Sequence, residues 1–311
     1  MKNLNVISLF SGVGGTCLAF KTAGFNIVVA NEIDQECCKT YKLNFPNTDL
    51  IEGCIVEKFN DIKKYSANVI IAGFPCQSFS RAGKRLGLAD ARSGLIEKIF
   101  ELADNPEIKC VFLENVKGLL TSNRGVDFHY IISKLEQLGF NVSYKLINAF
   151  ICGYTRQMRE RIYIVAVRNK IFKFSEYRSK EKMRDVDFNC DMAEFEYTKE
   201  KHIKYFSGAA FDLGAIKKKT FSQIRRVYLR KLSSCPTLTA NMGTGGHNVP
   251  IIKTNSGHIR KLSPRECFDL MAFPKSFRLP NIANCHLYKQ AGNSVIVTLV
   301  QDIAKDIAKI L

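Results

Sequence analysis

Short apolar runs alternate with helix-spaced apolar positions along the first half of the chain. Residues 6–10 form an apolar run that ends in Ser11-Gly12-Val13-Gly14-Gly15, and residues 16–23 then carry Leu18, Ala19 and Phe20 at helical spacing. This predicts a strand, a glycine turn and a helix. The alternation continues with a strand over 26–30, a helix over 35–45, a strand over 69–73 and a helix over 94–102. A strand over 110–113, a helix over 128–138 and strands over 142–146 and 161–167 follow. Such an order implies a mostly parallel sheet with helices on both faces, so residues 1–167 read as one doubly wound α/β domain.

Beyond residue 167 this pattern stops. Residues 169–204 are rich in Lys, Glu, Asp and Arg without periodicity, Lys217-Lys218-Lys219 and Arg225-Arg226 follow, and residues 205–256 hold turn-punctuated pieces with few regular elements. Regularity returns at Ser263-Pro264-Arg265-Glu266. Ser at the N-cap, Pro at the first helical position and Glu three residues after the cap form a capping box, which predicts a helix running to Ala272. Near the end, Val295, Leu299, Val300, Ile303, Ile307, Ala308 and Leu311 fall on one helical face.

Composition narrows the partners. The 311 residues, 46% of them hydrophobic, suffice for one large domain or for a medium domain with a smaller one. Forty-six Lys and Arg against 29 Asp and Glu give +17, which draws the protein toward a polyanion. Nucleic acid comes ahead of an anionic membrane surface, because no run of about 18 apolar residues and no basic amphipathic helix is present. Residues 1–10 read as a strand and not as a secretion signal, so a cytoplasmic location is expected. The eleven cysteines contain no C-x-x-C pair and only five His accompany them, so no metal site is expected and most thiols read as small buried hydrophobes.

Several residues carry candidate chemistry. The NAD fingerprint counted from Gly12 requires glycine at position 17, which is Cys17, so a pyrophosphate site is disfavoured. Glu32 ends the second strand, placed to accept hydrogen bonds from ribose hydroxyls. This suits an adenosine ligand without a pyrophosphate, such as S-adenosylmethionine; the plainer alternative is a tight turn with a surface Glu. Cys76 follows Pro75 directly after a strand, where carboxyl ends line the ligand crevice of such folds. The stretch Arg81-Ala82-Gly83-Lys84-Arg85-Leu86-Gly87 reads as a loop that closes over a polyanion or as an ordinary solvated connection. Glu114 follows Val111-Phe112-Leu113 and should hold its proton more readily through partial desolvation. Arg159 and Arg161 would share one side of an extended chain, to hold a base oxygen and a phosphate, to position the nucleophile loop, or simply as solvated charges.

Together these blocks resemble those of bacterial-type cytosine-C5 DNA methyltransferases. Phe10-Ser11-Gly12-Val13-Gly14-Gly15 resembles the cofactor motif, Pro75-Cys76-Gln77 the nucleophile motif, Glu114-Asn115-Val116 the ring-activating motif and Gln157-x-Arg159-x-Arg161 the substrate-arginine motif. Arg260-Lys261-Leu262-Ser263-Pro264-Arg265-Glu266-Cys267 and Gly292-Asn293-Ser294-Val295 resemble the last two. The resemblance implies a doubly wound, mostly parallel α/β sheet of the S-adenosylmethionine-dependent methyltransferase type with a smaller, loop-rich target-recognition domain. Residues 1–167 plus 286–311 would form the catalytic and cofactor domain, and 168–285 the recognition domain.

The implied roles are specific. Cys76 attacks C6 of a flipped cytosine, Glu114 stabilises the ring through N3 and N4, and Arg159 and Arg161 hold it. Phe10, Gly12, Gly14, Gly15, Glu32, Ile33, Ile55, Pro75, Leu95, Asn293 and Ser294 line the S-adenosylmethionine site. Arg81, Lys84, Arg85, Thr237, Gly243 and Gly245 contact DNA, and residues 237–248 resemble segments that read CCGG or CCNGG. The partner is double-stranded DNA in the bacterial cytosol and nucleoid; a restriction endonuclease sharing the site is admitted without a stable complex, and a monomer without membrane contact is expected. A tRNA-directed enzyme, whose characteristic Cys-Phe-Thr insertion is not found here, and a catalytically idle DNA-binding relative are the alternatives.

Three positions depart from the family's pattern. Gly53-Cys54-Ile55 stands where Gly-Asp-Ile is common, which puts a contact to the adenine amino group in doubt. Gly153-Tyr154-Thr155-Arg156-Gln157 lacks the usual proline, and Met271-Ala272-Phe273-Pro274 replaces the commoner Gln-Gly-Phe-Pro.

Overall fold

The computed structural model describes residues 4–75, 93–179, 192–196, 227–228, 235–243, 249–253 and 259–311. Strands β1 (Asn5–Leu9), β2 (Asn26–Glu32), β3 (Asp49–Glu52), β4 (Val69–Ala72), β5 (Cys110–Val116), β6 (Phe140–Asn148) and β7 (Glu160–Arg168) form one sheet in the order β3-β2-β1-β4-β5-β7-β6. Neighbours are parallel except at β7, which runs antiparallel to both β5 and β6. The expected doubly wound sheet is therefore present. Reversal of β7 brings its first residues to the edge where β1, β4 and β5 end.

Strand side chains alternate between two apolar cores, one on each face. Val69, Ile71, Phe112, Tyr163 and Val165 join one core, with α1 (Gly15–Thr22), α2 (Gln35–Asn44) and α8 (Val297–Ile310). Ile70, Ala72, Val111, Leu113, Ile162 and Ile164 join the other, with α3 (Ile55–Ile62), α4 (Ser93–Ala103) and α5 (Val126–Gln137). Burial on both faces is why β4 reads as an unbroken apolar run. The sequence pattern did not show the short elements β3, of which no residue is fully buried, and α3, which buries only Ile55, Phe59 and Ile62, nor α7 (Asn284–Asn293).

In the second half a small sheet of β8 (Val227–Tyr228), β9 (Ile251–Lys253) and β10 (Ile259–Lys261) lies in the stretch that read as nearly devoid of regular elements. The expected capping box is formed at α6 (Pro264–Leu270), which stops two residues before the predicted end. Ala272 there has φ +60°, a left-handed backbone that disfavours a side chain, which explains why glycine is the commoner residue at this place. The missing proline is offset as well. Thr155 Oγ1 donates to Leu270 O at 2.6 Å and accepts from Gln157 N at 3.2 Å, pinning the turn before β7.

Arg260 is wholly buried. Its Nη1 and Nη2 bond Glu266 Oε2 and Oε1 at 2.9 and 2.8 Å, while Oε2 also accepts from Ser263 N to complete the capping box. Removing the guanidinium alone strands a buried carboxylate. Arg260→Met is expected to lower unfolding stability by roughly 3–5 kcal/mol, and adding Glu266→Gln, which keeps the cap, to recover much of it in urea titrations. Ala272→Gly should raise stability by about 1 kcal/mol, because the left-handed penalty exceeds the entropy cost of glycine. An unchanged urea midpoint would refute that reading of Ala272.

Candidate functional site

The carboxyl ends of β1, β2 and β3 build one wall. After β1 the chain enters left-handed backbone at Phe10 and Gly12, both with φ +54°. Phe10 is partly buried against the apolar core on the α3 face, and a Cβ on Gly12 would meet nothing within 4 Å. Gly14 and Gly15 differ, because a Cβ would lie 2.3 Å from Phe45 Cε2 in the first case and 2.5 Å from Ser294 Oγ in the second. These two glycines serve close packing, and the open face of the turn belongs to Gly12.

Glu32 ties the ends of β1 and β2 together. Oε2 accepts from Gly12 N at 2.7 Å, and Oε1 accepts from Ile33 N and Asp34 N at 3.0 and 2.8 Å. Burial raises its proton affinity while the three N–H groups oppose that rise. Ile33 beside it is 64% exposed, an apolar side chain open to a ligand. Asn31 Nδ2 holds the next turn through Ile51 O and Gly53 O at 2.8 and 3.1 Å. Cys54 then sits at the N-cap of α3 without a side-chain cap bond. Of the two residues expected at the cofactor on this side, Ile55 is buried in the core under α3 and Leu95 is half-buried against the same core. Asn293 is exposed and Ser294 buried, where α7 meets α8 beside Gly15.

The ends of β4 and β5 build the second wall. Glu114 lies where β5 continues past β4, whose last residue Ala72 pairs with Leu113. Glu114 is buried, and a Cβ on Gly73 would come within 4.0 Å of its Oε2. Asn115 Nδ2 donates to Phe74 O at 3.0 Å, so this strand grips the run Gly73-Phe74-Pro75 that leads directly to Cys76. Arg161 Nε stands 3.2 Å from Glu114 Oε1, yet Oε1 has no hydrogen-bond partner among the described residues. Burial raises the Glu114 carboxyl above its ordinary value, and the charges of Arg161 and Arg159 reduce that rise. Cys76, Arg81, Lys84, Arg85 and Gly245 lie outside the described residues.

Arg159, expected to hold the base, has its four Nη hydrogens directed at protein oxygens. Nη1 donates to Leu238 O at 3.1 Å and Gln157 Oε1 at 3.4 Å, while Nη2 donates to Gly292 O at 3.2 Å and Ser294 O at 2.5 Å. Only Nε remains without a partner among the described residues. Three of its four acceptors are backbone carbonyls, which no sequence pattern announces. Desolvation pushes the guanidinium down to about 9, so it stays charged at neutral pH.

The expected DNA contacts divide. Thr237 is half-buried and bonds Met158 O through Oγ1, whereas Gly243 is packed on α7, where a Cβ would lie 2.9 Å from Tyr288 Cδ2. Its glycine is explained by that close approach and its φ of +79°. Sequence reasoning gave no role to Gln157, Asn115 or Gly292. Gln157 Oε1 accepts from Leu238 N at 2.9 Å, and Cys235 and Gln157 form a parallel bridge, so residues 235–238 lie along the approach to β7. The visible signal for Asn115 was a second polar residue beside Glu114 in an apolar strand.

Comparison with known proteins agrees with this geometry. The family model described as C-5 cytosine-specific DNA methylase matches residues 4–309. The Type II methyltransferase M.Bsp6I of Bacillus sp. (strain RFL6) is 42% identical, over 98% of this chain and 99% of the relative. M.HhaI of Haemophilus parahaemolyticus is 30% identical over 100% and 96%. The crystal structure of S. pombe Dnmt2 methyltransferase superposes with a TM-score of 0.77 at 20% identity, covering 99% of each chain, a likeness that speaks for the fold alone. The family's DNA-directed description favours the first expectation over the RNA-directed alternative. With the match running through the glycine turn, the Glu114 strand and the returning C-terminal segment, the chain belongs to the C-5 cytosine-specific DNA methylase family.

Proposed function

We propose that Cys76 is the nucleophile of this DNA cytosine-C5 methyltransferase and that Glu114 is the acid that activates the ring. The observation that carries this reading is the buried carboxylate of Glu114, with one oxygen lacking a hydrogen bond among the described residues, beside the Gly73–Pro75 run that ends one peptide before Cys76. Such a group gains a partner when a base enters with N3 and the 4-amino group toward it.

The residues at the other wall suit an adenosine-bearing donor. The open face of Gly12, the exposed Ile33 and the Glu32 carboxylate would hold S-adenosylmethionine, with Asn293 and Ser294 closing the far side. S-adenosylmethionine supplies an electrophilic methyl group to the site. Addition of the Cys76 thiolate to C6, with a proton from Glu114 to N3, makes C5 nucleophilic. C5 takes the methyl group as S-adenosylhomocysteine leaves, then gives its proton to water while the S–C6 bond breaks, N3 returns its added proton to the Glu114 carboxylate, and the thiolate is regenerated. Arg161 faces Glu114 and limits how far burial raises its proton affinity. Because C5 and C6 are stacked in duplex DNA, the base must leave the helix.

The finer reading extends this. Residues 168–285 supply target recognition, with Thr237 among the contacts and a CCGG or CCNGG site. The chain acts as a cytosolic monomer, in restriction-modification beside an endonuclease for the same site or as a solitary methylase. Among the described residues no helix is long and apolar enough to cross a membrane.

Labelled methyl should pass from S-adenosylmethionine to duplex DNA, with bisulfite sequencing identifying the site. Cys76→Ser should reduce transfer by at least about a thousandfold, and a 5-fluorocytosine duplex should trap wild-type protein through Cys76. Labelled DNA without C5-methylcytosine would overturn the reaction, and absence of an adduct at Cys76 would overturn its role.

The raised Glu114 carboxyl gives a second prediction. It binds its proton more tightly folded than unfolded, so its stabilising contribution is full below the ordinary value of 4.5 and is lost as pH rises through the folded value. The melting temperature of wild type relative to Glu114→Gln should therefore fall as pH rises from the ordinary carboxyl value of 4.5 through the folded value. A difference that grows with pH would reverse the assigned sign. Turnover of Glu114→Gln should be lower by about a hundredfold or more.

A further inference from the structure

One guanidinium joins two parts of the molecule that the proposed reaction uses separately. Arg159 Nη1 holds Leu238 O, in the segment placed toward the DNA target, and Nη2 holds Gly292 O and Ser294 O, at the turn placed against the methyl donor. The guanidinium is a rigid plane, so fixing the acceptors of one nitrogen fixes the direction of the other. Burial makes the joint hard to open, since a buried cation deprived of acceptors is strongly disfavoured.

A second contact lies at the same joint and does not involve Arg159. A Cβ on Gly292 would stand 2.2 Å from Thr239 O, 2.3 Å from Thr239 C and 2.7 Å from Ala240 N. All three are backbone atoms that a rotamer change cannot move aside. The recognition segment therefore rests directly on the turn that carries Asn293 and Ser294. Leu238 N donates to Gln157 Oε1, which itself accepts from Arg159, so the segment is held from both its amide and its carbonyl.

We propose that Arg159 is a positioning residue that couples donor binding to the order of the recognition segment, with Gly292 as the bearing surface of the joint. This rests on the reading of Gly12, Glu32 and Ser294 as the donor site. By reciprocity, a ligand that orders Ser294 also orders Leu238–Met242, and DNA held by that segment tightens the donor turn.

Hydrogen–deuterium exchange on the full chain tests this with S-adenosylhomocysteine as the probe, at saturation for each protein. The reporters are the amides of Leu238 and Met242, which donate to Gln157 Oε1 and Thr239 O. Exchange at both should slow by about fivefold or more when the probe binds wild type. Arg159→Lys, whose single ammonium cannot span the two sides, should reduce the effect below about twofold, and Gly292→Ala should do the same from the other side of the joint. A purely structural arginine would lower the melting temperature on substitution without changing the ligand-dependent protection. Probe binding without protection in wild type overturns the coupling whatever the variants do, as does protection that survives in a folded Arg159→Lys or Gly292→Ala. Failure of wild type to bind the probe in equilibrium dialysis overturns the donor-site reading itself.

Discussion

The molecule closes on itself at Gly15, and the site depends on that closure. Only a hydrogen at this position lets Ser294 and Phe273 reach the first turn of α1, since a Cβ would stand 2.5 Å from one and 3.1 Å from the other. The close approach lets α8 lie on α1, sets Ser294 beside the glycine turn and presents the carbonyls of Gly292 and Ser294 to Arg159. The antiparallel β7 then delivers Arg159 and Arg161 to the same edge as Glu114. A single missing side chain thus allows three remote stretches of sequence to share one crevice.

Much of the frame was legible because it rests on local regularities. β4 and β5 are apolar on both faces and announce themselves as runs, and the α6 capping box is a four-residue pattern whose hydrogen bonds the structure contains. α7 was less legible because its buried apolar face is short, only Leu287, Tyr288 and Ala291, and is completed by Gln290, bonded to Thr40 and Glu36, and by the bare face of Gly292. At the site, the carboxylates at strand ends could be read from position. The fate of Arg159 could not, since three of its four acceptors are main-chain oxygens, one of them 135 residues away. Ile55 was read from its place in a motif, and the start of α3 packs its side chain into the core.

The departures from the family pattern are met unevenly. Arg156 stands where the pattern has a rigid ring, and Thr155 before it supplies two hydrogen bonds, which fix the turn without restricting the unfolded chain. Ala272 keeps a backbone that suits glycine, held by the burial of Met271 and Phe273 on either side. Cys54 has no such compensation, since the α3 N-terminus lacks a side-chain acceptor where an aspartate would supply one.

The contact between Gly15 and the Ser294 turn also sets a schedule. Loop-closure entropy grows only with the logarithm of length, so uniting positions so far apart is a modest thermodynamic demand. During synthesis it is a temporal one, because the amino-terminal strands emerge and pair long before the segment around Ser294 exists. Until that segment has left the ribosome, Gly15 has no wall to pack on and the Arg159 guanidinium lacks two of its acceptors. A nascent chain already able to fold most of its sheet therefore carries an unfinished crevice.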